Sequence, residues 1–284
     1  MSESNTQSEQ PSNVAYHQLA LHVAQRYNAL PQVEAVALGG SLSAQTVDPD
    51  SDLDLYVYTR DDIPRDIRAD IASEQSQRME IDNQFWELGD EWVDHNTGIH
   101  VDVMFRACAW IEEQLNRVLQ HHQTSVGYST CLWHNVLTSQ MLFDRNVWFA
   151  QLQERANQPY PEALQQAIIA KNYPLLRNTL SSYVHQMQLA VARRDIVSVN
   201  HRAAAFLASY FDVLFAINCL PHPGEKRLLP TIAKHCAKVP HAMEEQMHLF
   251  VQSIMYHDQR TIDQAHLLVD GLAALLNAEG LYQE

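Results

Sequence analysis

The stretch "AVALGGSLSAQTVDPDSDLDLYVY", residues 35–58, decides how the first half of the chain is read. An apolar run ends in Gly39, Gly40 and Ser41, and a second apolar run then carries Asp52 and Asp54 two positions apart. Alternate residues of a strand share a face. Two carboxylates held that close repel each other, and burying either without a partner is costly. The pattern calls for a cation beside them. The glycines allow the backbone to approach a phosphate closely, and Ser41 offers it a hydroxyl and an N–H.

Working outward, "VEAVAL" reads as a short buried strand running into the glycines, and "SDLDLYVY" has the period of a second strand. Further on, "GIHVDVMF" alternates again and sets His100, Asp102 and Met104 on one face. Asp102 is then a third carboxylate on a strand. A hard cation such as Mg²⁺ takes oxygen ligands and is commonly held by one or two carboxylates together with substrate phosphates. Two such ions would organise in-line attack at a phosphoryl group. His100 shares the face of Asp102 and could touch the site, although a strand-edge histidine is more often structural. Asp48 and Asp50 flank Pro49 and read as turn formers.

A glycine-serine turn, an Asp-x-Asp strand and a later lone Asp in "HVDV" resemble the nucleotidyltransferase superfamily with the polymerase-beta-type fold. The resemblance implies that Asp52, Asp54 and Asp102 are the metal-binding and catalytic acids, and that Gly39, Gly40 and Ser41 form the nucleotide-binding turn. It implies Mg²⁺ or Mn²⁺ as cofactor and an NTP, with ATP the expected one, as donor. The helical part behind this domain is similar to that of the antibiotic nucleotidyltransferases and of a bacterial family with "PGEKR" in its second domain. One departure is that the loop after the glycines, "LSAQTVDPD", carries no basic residue.

The remainder sets the organisation. Residues 1–12 are polar, lack the basic and apolar parts of a signal peptide, and read as a disordered tail. Helices are expected over 13–29, from Pro64 through "RDIRADIASEQSQRM", over "AWIEEQLNRVLQHH" and from about Val147, with a strand at "SQMLFDRN". Two prolines in "ANQPYPEA" mark a linker. Beyond it only helical periodicity appears, over about 161–171, 174–194, 196–220, 240–257 and 260–278. The expected architecture is α+β: a small mixed-sheet catalytic domain over 13–155 followed by an all-α helical bundle over 156–284.

Composition narrows the chemistry. With 46% hydrophobic residues in 284, the chain has material for substantial cores. No apolar run is long enough to span a membrane, and four scattered cysteines suggest reduced thiols, so a cytoplasmic protein is expected. Residues 1–150 hold 22 acidic and 8 basic side chains, a balance of −14, and no lysine precedes Lys171. Such a field disfavours a long nucleic acid and favours cations and small neutral or cationic acceptors. The cation that grips the outer phosphates is therefore expected from the second domain. Lys226 and Arg227 follow a turn built from Pro221, Pro223 and Gly224, with Arg202 in reserve.

The expected activity is transfer of a nucleoside monophosphate to a hydroxyl of a small molecule, with Asp102 assisting deprotonation and pyrophosphate leaving. Two alternatives stay open: a nucleotide-binding regulatory module without turnover, and a nucleotidyltransferase acting on a protein.

Overall fold

A computed structural model describes residues 13–40, 52–76, 78–84 and 87–282. Ser41, Asp48, Asp50 and the N-terminal 12 residues lie outside the described residues. The chain forms two compact units, Met1–Leu115 with Asn135–Gln158, and Asn116–His134 with Pro159–Glu284.

The first unit is built on six strands: β1 (Val33–Leu38), β2 (Leu53–Thr59), β3 (Met79–Asn83), β4 (Gly89–Val93), β5 (His100–Ala107) and β6 (Gln140–Asp144). Their order in the sheet is β3-β4-β5-β2-β1-β6. The central pair β2–β5 is parallel and the other neighbours are antiparallel. Four helices accompany the sheet, α1 (Asn13–Asn28), α2 (Arg65–Ser73), α3 (Cys108–Leu119) and, after the intervening α4 (Cys131–Thr138), α5 (Trp148–Ala156).

Alternation fixes the pairing of the centre. Leu53, Leu55, Val57, Val101 and Val103 are fully buried and share one core with Tyr16, Leu19, Val23 and Tyr27 of α1. Burying each such aliphatic side chain contributes about 1.5–3 kcal/mol. A one-residue slip would turn the whole set to the wrong face. On the opposite face, Tyr58 stacks on Phe149 of α5 at 5.1 Å between ring centroids. Arg106 lies 4.0 Å from the Tyr56 ring centroid and donates to both carboxylate oxygens of Glu87 at 2.8 Å. Asn135 accepts from Arg106 at 2.7 Å and donates to the Tyr56 hydroxyl at 2.8 Å. That packing occupies one end of the face and leaves Asp54 and Asp102 half-buried at the other.

Three features depart from the sequence expectations. The helix after Pro64 stops at Ser73, and Met79, the last residue read as helix, opens β3. Met79 and Ile81 alternate with Glu80 and Asp82, a strand period only five residues long. Pro174 does not interrupt its helix: α6 runs Glu162–Arg177 straight through it, and the break falls at 178–182, where Ser182 caps α7 (Tyr183–Arg193). A proline close to a helix end removes only one ladder bond, here the one to the Ala170 carbonyl. The short helices α4 and α9 (Leu228–His235) carry no periodicity long enough to stand out.

The second unit continues with α8 (Ile196–Ile217), α10 (Met243–Ile254) and α11 (Gln259–Ala278). Phe206, Tyr210, Leu214 and Ile217 of α8 are fully buried, with Phe250 of α10 against Phe206 at 5.2 Å. The 116–134 segment is tied into this unit by buried polar groups. Gly127 donates its N–H to Asn172 at 2.9 Å, and Ser129 gives Asp212 both its N–H at 3.0 Å and its hydroxyl at 2.7 Å.

Candidate active site

The parallel register places Asp54 directly opposite Asp102. In the antiparallel β4–β5 pair Asp102 is opposite Glu91, and in β3–β4 Glu91 is opposite Glu80. Directly opposed residues share a face, so four adjacent strands present a row of carboxylates. Glu91 is aimed this way by its neighbour. Asp90 points to the other face, is fully buried, and pairs with the buried Arg68 guanidinium at 2.9 Å. Arg68 also reaches Asp82 at 2.6 Å and lies over the Phe105 ring.

Crowding of like charge shows in Asp102. Its pKa is pushed up to about 6, first by burial, then by the Glu91 and Asp54 carboxylates, with His100 opposing and Asp52 adding to the rise. A carboxyl in that state gains from any cation brought beside it. Asp52, just before β2, has a carboxylate oxygen 3.4 Å from His100 Nδ1, and His100 Nε2 is 3.6 Å from Glu91.

The glycine turn abuts this row. The Gly39 N–H donates to the Asp54 carbonyl at 2.9 Å. A Cβ on Gly39 would fall 2.2 Å from the Tyr56 ring, and one on Gly40 would fall 1.8 Å from Asp54 Oδ2. Gly40 also has φ +63°, in the left-handed region that favours glycine. Backbone and carboxylate therefore meet at a distance only glycine permits.

The donor chemistry of this cluster, all carboxylate oxygen, fits a hard divalent cation. Among the described residues, however, no three His, Cys, Asp or Glu side chains already stand in a metal-holding arrangement. Asp52, Asp54 and Asp102 thus share a region without forming a closed set. Glu91 was missed because residues 80–97 fall in no element expected from the sequence; the alternation "MEIDN" and the turn "NTG" before "IHVDV" were the available signals.

Of the expected cations, Arg202 is exposed on α8, and Lys226 and Arg227 are exposed immediately before α9. Arg227 has φ +54° at the N-cap of that helix. The turn ahead of them is held by buried His222, whose N–H donates to Thr130 at 2.7 Å and whose Nδ1 accepts from the Gly224 N–H at 3.0 Å.

Residues 18–124 match the sequence model of the family described as nucleotidyltransferase domain. No curated protein sequence gives a significant match. Among solved structures, a nucleotidyltransferase-like protein from Exiguobacterium sibiricum is similar at 14% identity and TM-score 0.42, over 92% of this chain and 74% of that one. A STING-associated CdnE c-di-GMP synthase from Capnocytophaga granulosa is similar at 12% identity and TM-score 0.28, over 95% and 82%. Both superpositions are loose and decide neither the fold nor the acceptor. No helix of the described residues is long and apolar enough to cross a membrane. With opposed acids beneath a glycine turn, and the family match spanning β1 to β5, the chain carries a nucleotidyltransferase domain at residues 18–124.

Proposed function

We propose that the chain transfers a nucleoside monophosphate from an NTP, ATP in the first instance, to a hydroxyl of a small-molecule acceptor, with release of pyrophosphate. The observation that carries this reading is the opposed pair Asp54–Asp102 on parallel β2 and β5, with Gly40 in contact with Asp54.

Asp52, Asp54 and Asp102 are the residues that would hold Mg²⁺ or Mn²⁺. When bound, such an ion neutralises phosphate charge and polarises the α-phosphoryl group. Gly39 and Gly40, with Ser41 following, offer the triphosphate a close backbone approach. Asp102 accepts the acceptor hydroxyl's proton, a role consistent with a carboxyl whose pKa is about 6. The acceptor oxygen then forms its bond to the α-phosphorus as the bond to pyrophosphate breaks. Lys226 and Arg227, or Arg202 in their place, supply cationic contacts to the outer phosphates. The acidic balance of residues 1–150 supports a neutral or cationic acceptor.

Asp102→Ala tests the assignment. Loss of a proton acceptor lowers kcat and kcat/KM together while nucleotide affinity holds. Collapse of nucleotide binding with kcat preserved would remove Asp102 from that role.

A further inference from the structure

His100 opens β5 two residues before Asp102, and the register Leu53 opposite Val101 puts Asp52 beside it. Both nitrogens of its ring face carboxylates, Nδ1 at 3.4 Å from Asp52 and Nε2 at 3.6 Å from Glu91. The second oxygen of Glu91 accepts from Asn83 Nδ2 at 2.9 Å. A connected line thus runs from the β3–β4 hairpin, through Glu91 and the imidazole, to Asp52. The ring is 40% exposed and the Asp52 side chain 52% exposed, so neither is locked by packing.

The geometry points to His100 as a positioning residue: its Nδ1 keeps Asp52 in a waiting arrangement, and a divalent cation entering the acidic cluster must displace the imidazole from Asp52. This rests on the reading of Asp52 as a metal ligand. The imidazole and the cation then compete for one carboxylate. Removing the imidazole's hold should tighten metal binding before any nucleotide arrives, whereas removing a purely structural histidine would leave it unchanged or weaken it. An exposed imidazole–carboxylate contact is a modest competitor, so the gain is about two- to fivefold.

The test is titration of the full chain with Mn²⁺ alone, followed by electron paramagnetic resonance of the free ion, with chelator-treated protein melted separately to confirm folding. Two substitutions divide the contacts. His100→Gln retains a donor near the Nε2 position, facing Glu91, and loses the one facing Asp52; His100→Asn does the reverse. The expected result is tighter Mn²⁺ binding by about two- to fivefold in His100→Gln, with His100→Asn close to the parent. Equal affinity in all three, weaker binding in His100→Gln, or equal tightening in both variants overturns the inference. Should His100→Gln fail to fold, the parent chain answers instead: saturating Mg²⁺ alone must shift the His100 ring resonances in NMR spectra, and unmoved resonances overturn it. Asp52→Asn separates this from the reading beneath it. That variant must bind Mn²⁺ more weakly, and if it does not, the assignment of Asp52 as a ligand has failed rather than the competition with His100.

Discussion

Gly40 and Asp54 show how much of this site depends on single side chains. A methyl group on Gly40 would sit 1.8 Å from the Asp54 carboxylate, and the backbone there is left-handed at φ +63°. Gly40→Ala should cost about 1–2 kcal/mol in stability from the backbone conformation. It should cost much more in activity, because Asp54 must swing away to admit the methyl; thermal melts and turnover on one preparation check both. Asp54→Asn should behave in the opposite sense. It removes one of the charges that raise Asp102, so stability without metal should hold or rise slightly while turnover is lost. A melting temperature that falls by several degrees in chelator would contradict this electrostatic account.

At the scale of elements, the site is a consequence of register. The buried aliphatic residues of β2 and β5 set Asp54 against Asp102, and the buried Arg68–Asp90 pair sets Glu91 beside them. Arg68→Met would leave Asp90 buried without its cationic partner, at a cost of about 3–5 kcal/mol. Chemical denaturation should reveal that loss, and Asp90→Asn in the same background should recover part of it, because an uncharged amide is cheaper to bury. The two central strands were legible because five or more alternating residues announce them. The short β3–β4 hairpin was not, since its polar letters suit a helix surface equally well and each of its strands is only five residues long. Glu91 and the bridging role of His100 were hidden for that reason. The unbroken α6 was hidden for another: Pro174 forbids one hydrogen bond, and the buried Ile168, Ile169, Tyr173 and Leu176 on either side outweigh it.

For the molecule as a whole, composition foretold an acidic first half and periodicity a helical second half, while the polar ties that bind residues 116–134 into the helical unit leave no trace in either. Those ties make a pH prediction. Asp212 is buried, and its pKa is pushed up to about 6 by that burial, with hydrogen bonds from Ser129 opposing. The folded chain therefore keeps a proton that the unfolded chain releases between about pH 4 and 6. Its contribution to stability is fully present below the unfolded pKa and is lost as pH rises through about 6. Relative to Asp212→Asn, the parent should lose about 2–3 kcal/mol between about pH 4 and 7, measured by urea unfolding at each pH. A flat difference would contradict the burial argument. Lys226→Ala, in turn, should raise the KM for ATP about ten- to a hundredfold if the second unit grips the outer phosphates. The most direct test of the central claim is the fate of label from ATP carrying ³²P at the α-position, incubated with the full chain, Mg²⁺ and a pool of small metabolites. The account predicts that label moves to a small-molecule product with matching pyrophosphate, and that Asp54→Asn abolishes both. Label that accumulates in ADP because the γ-phosphate is transferred instead, or an Asp54→Asn variant as active as the parent, would contradict it.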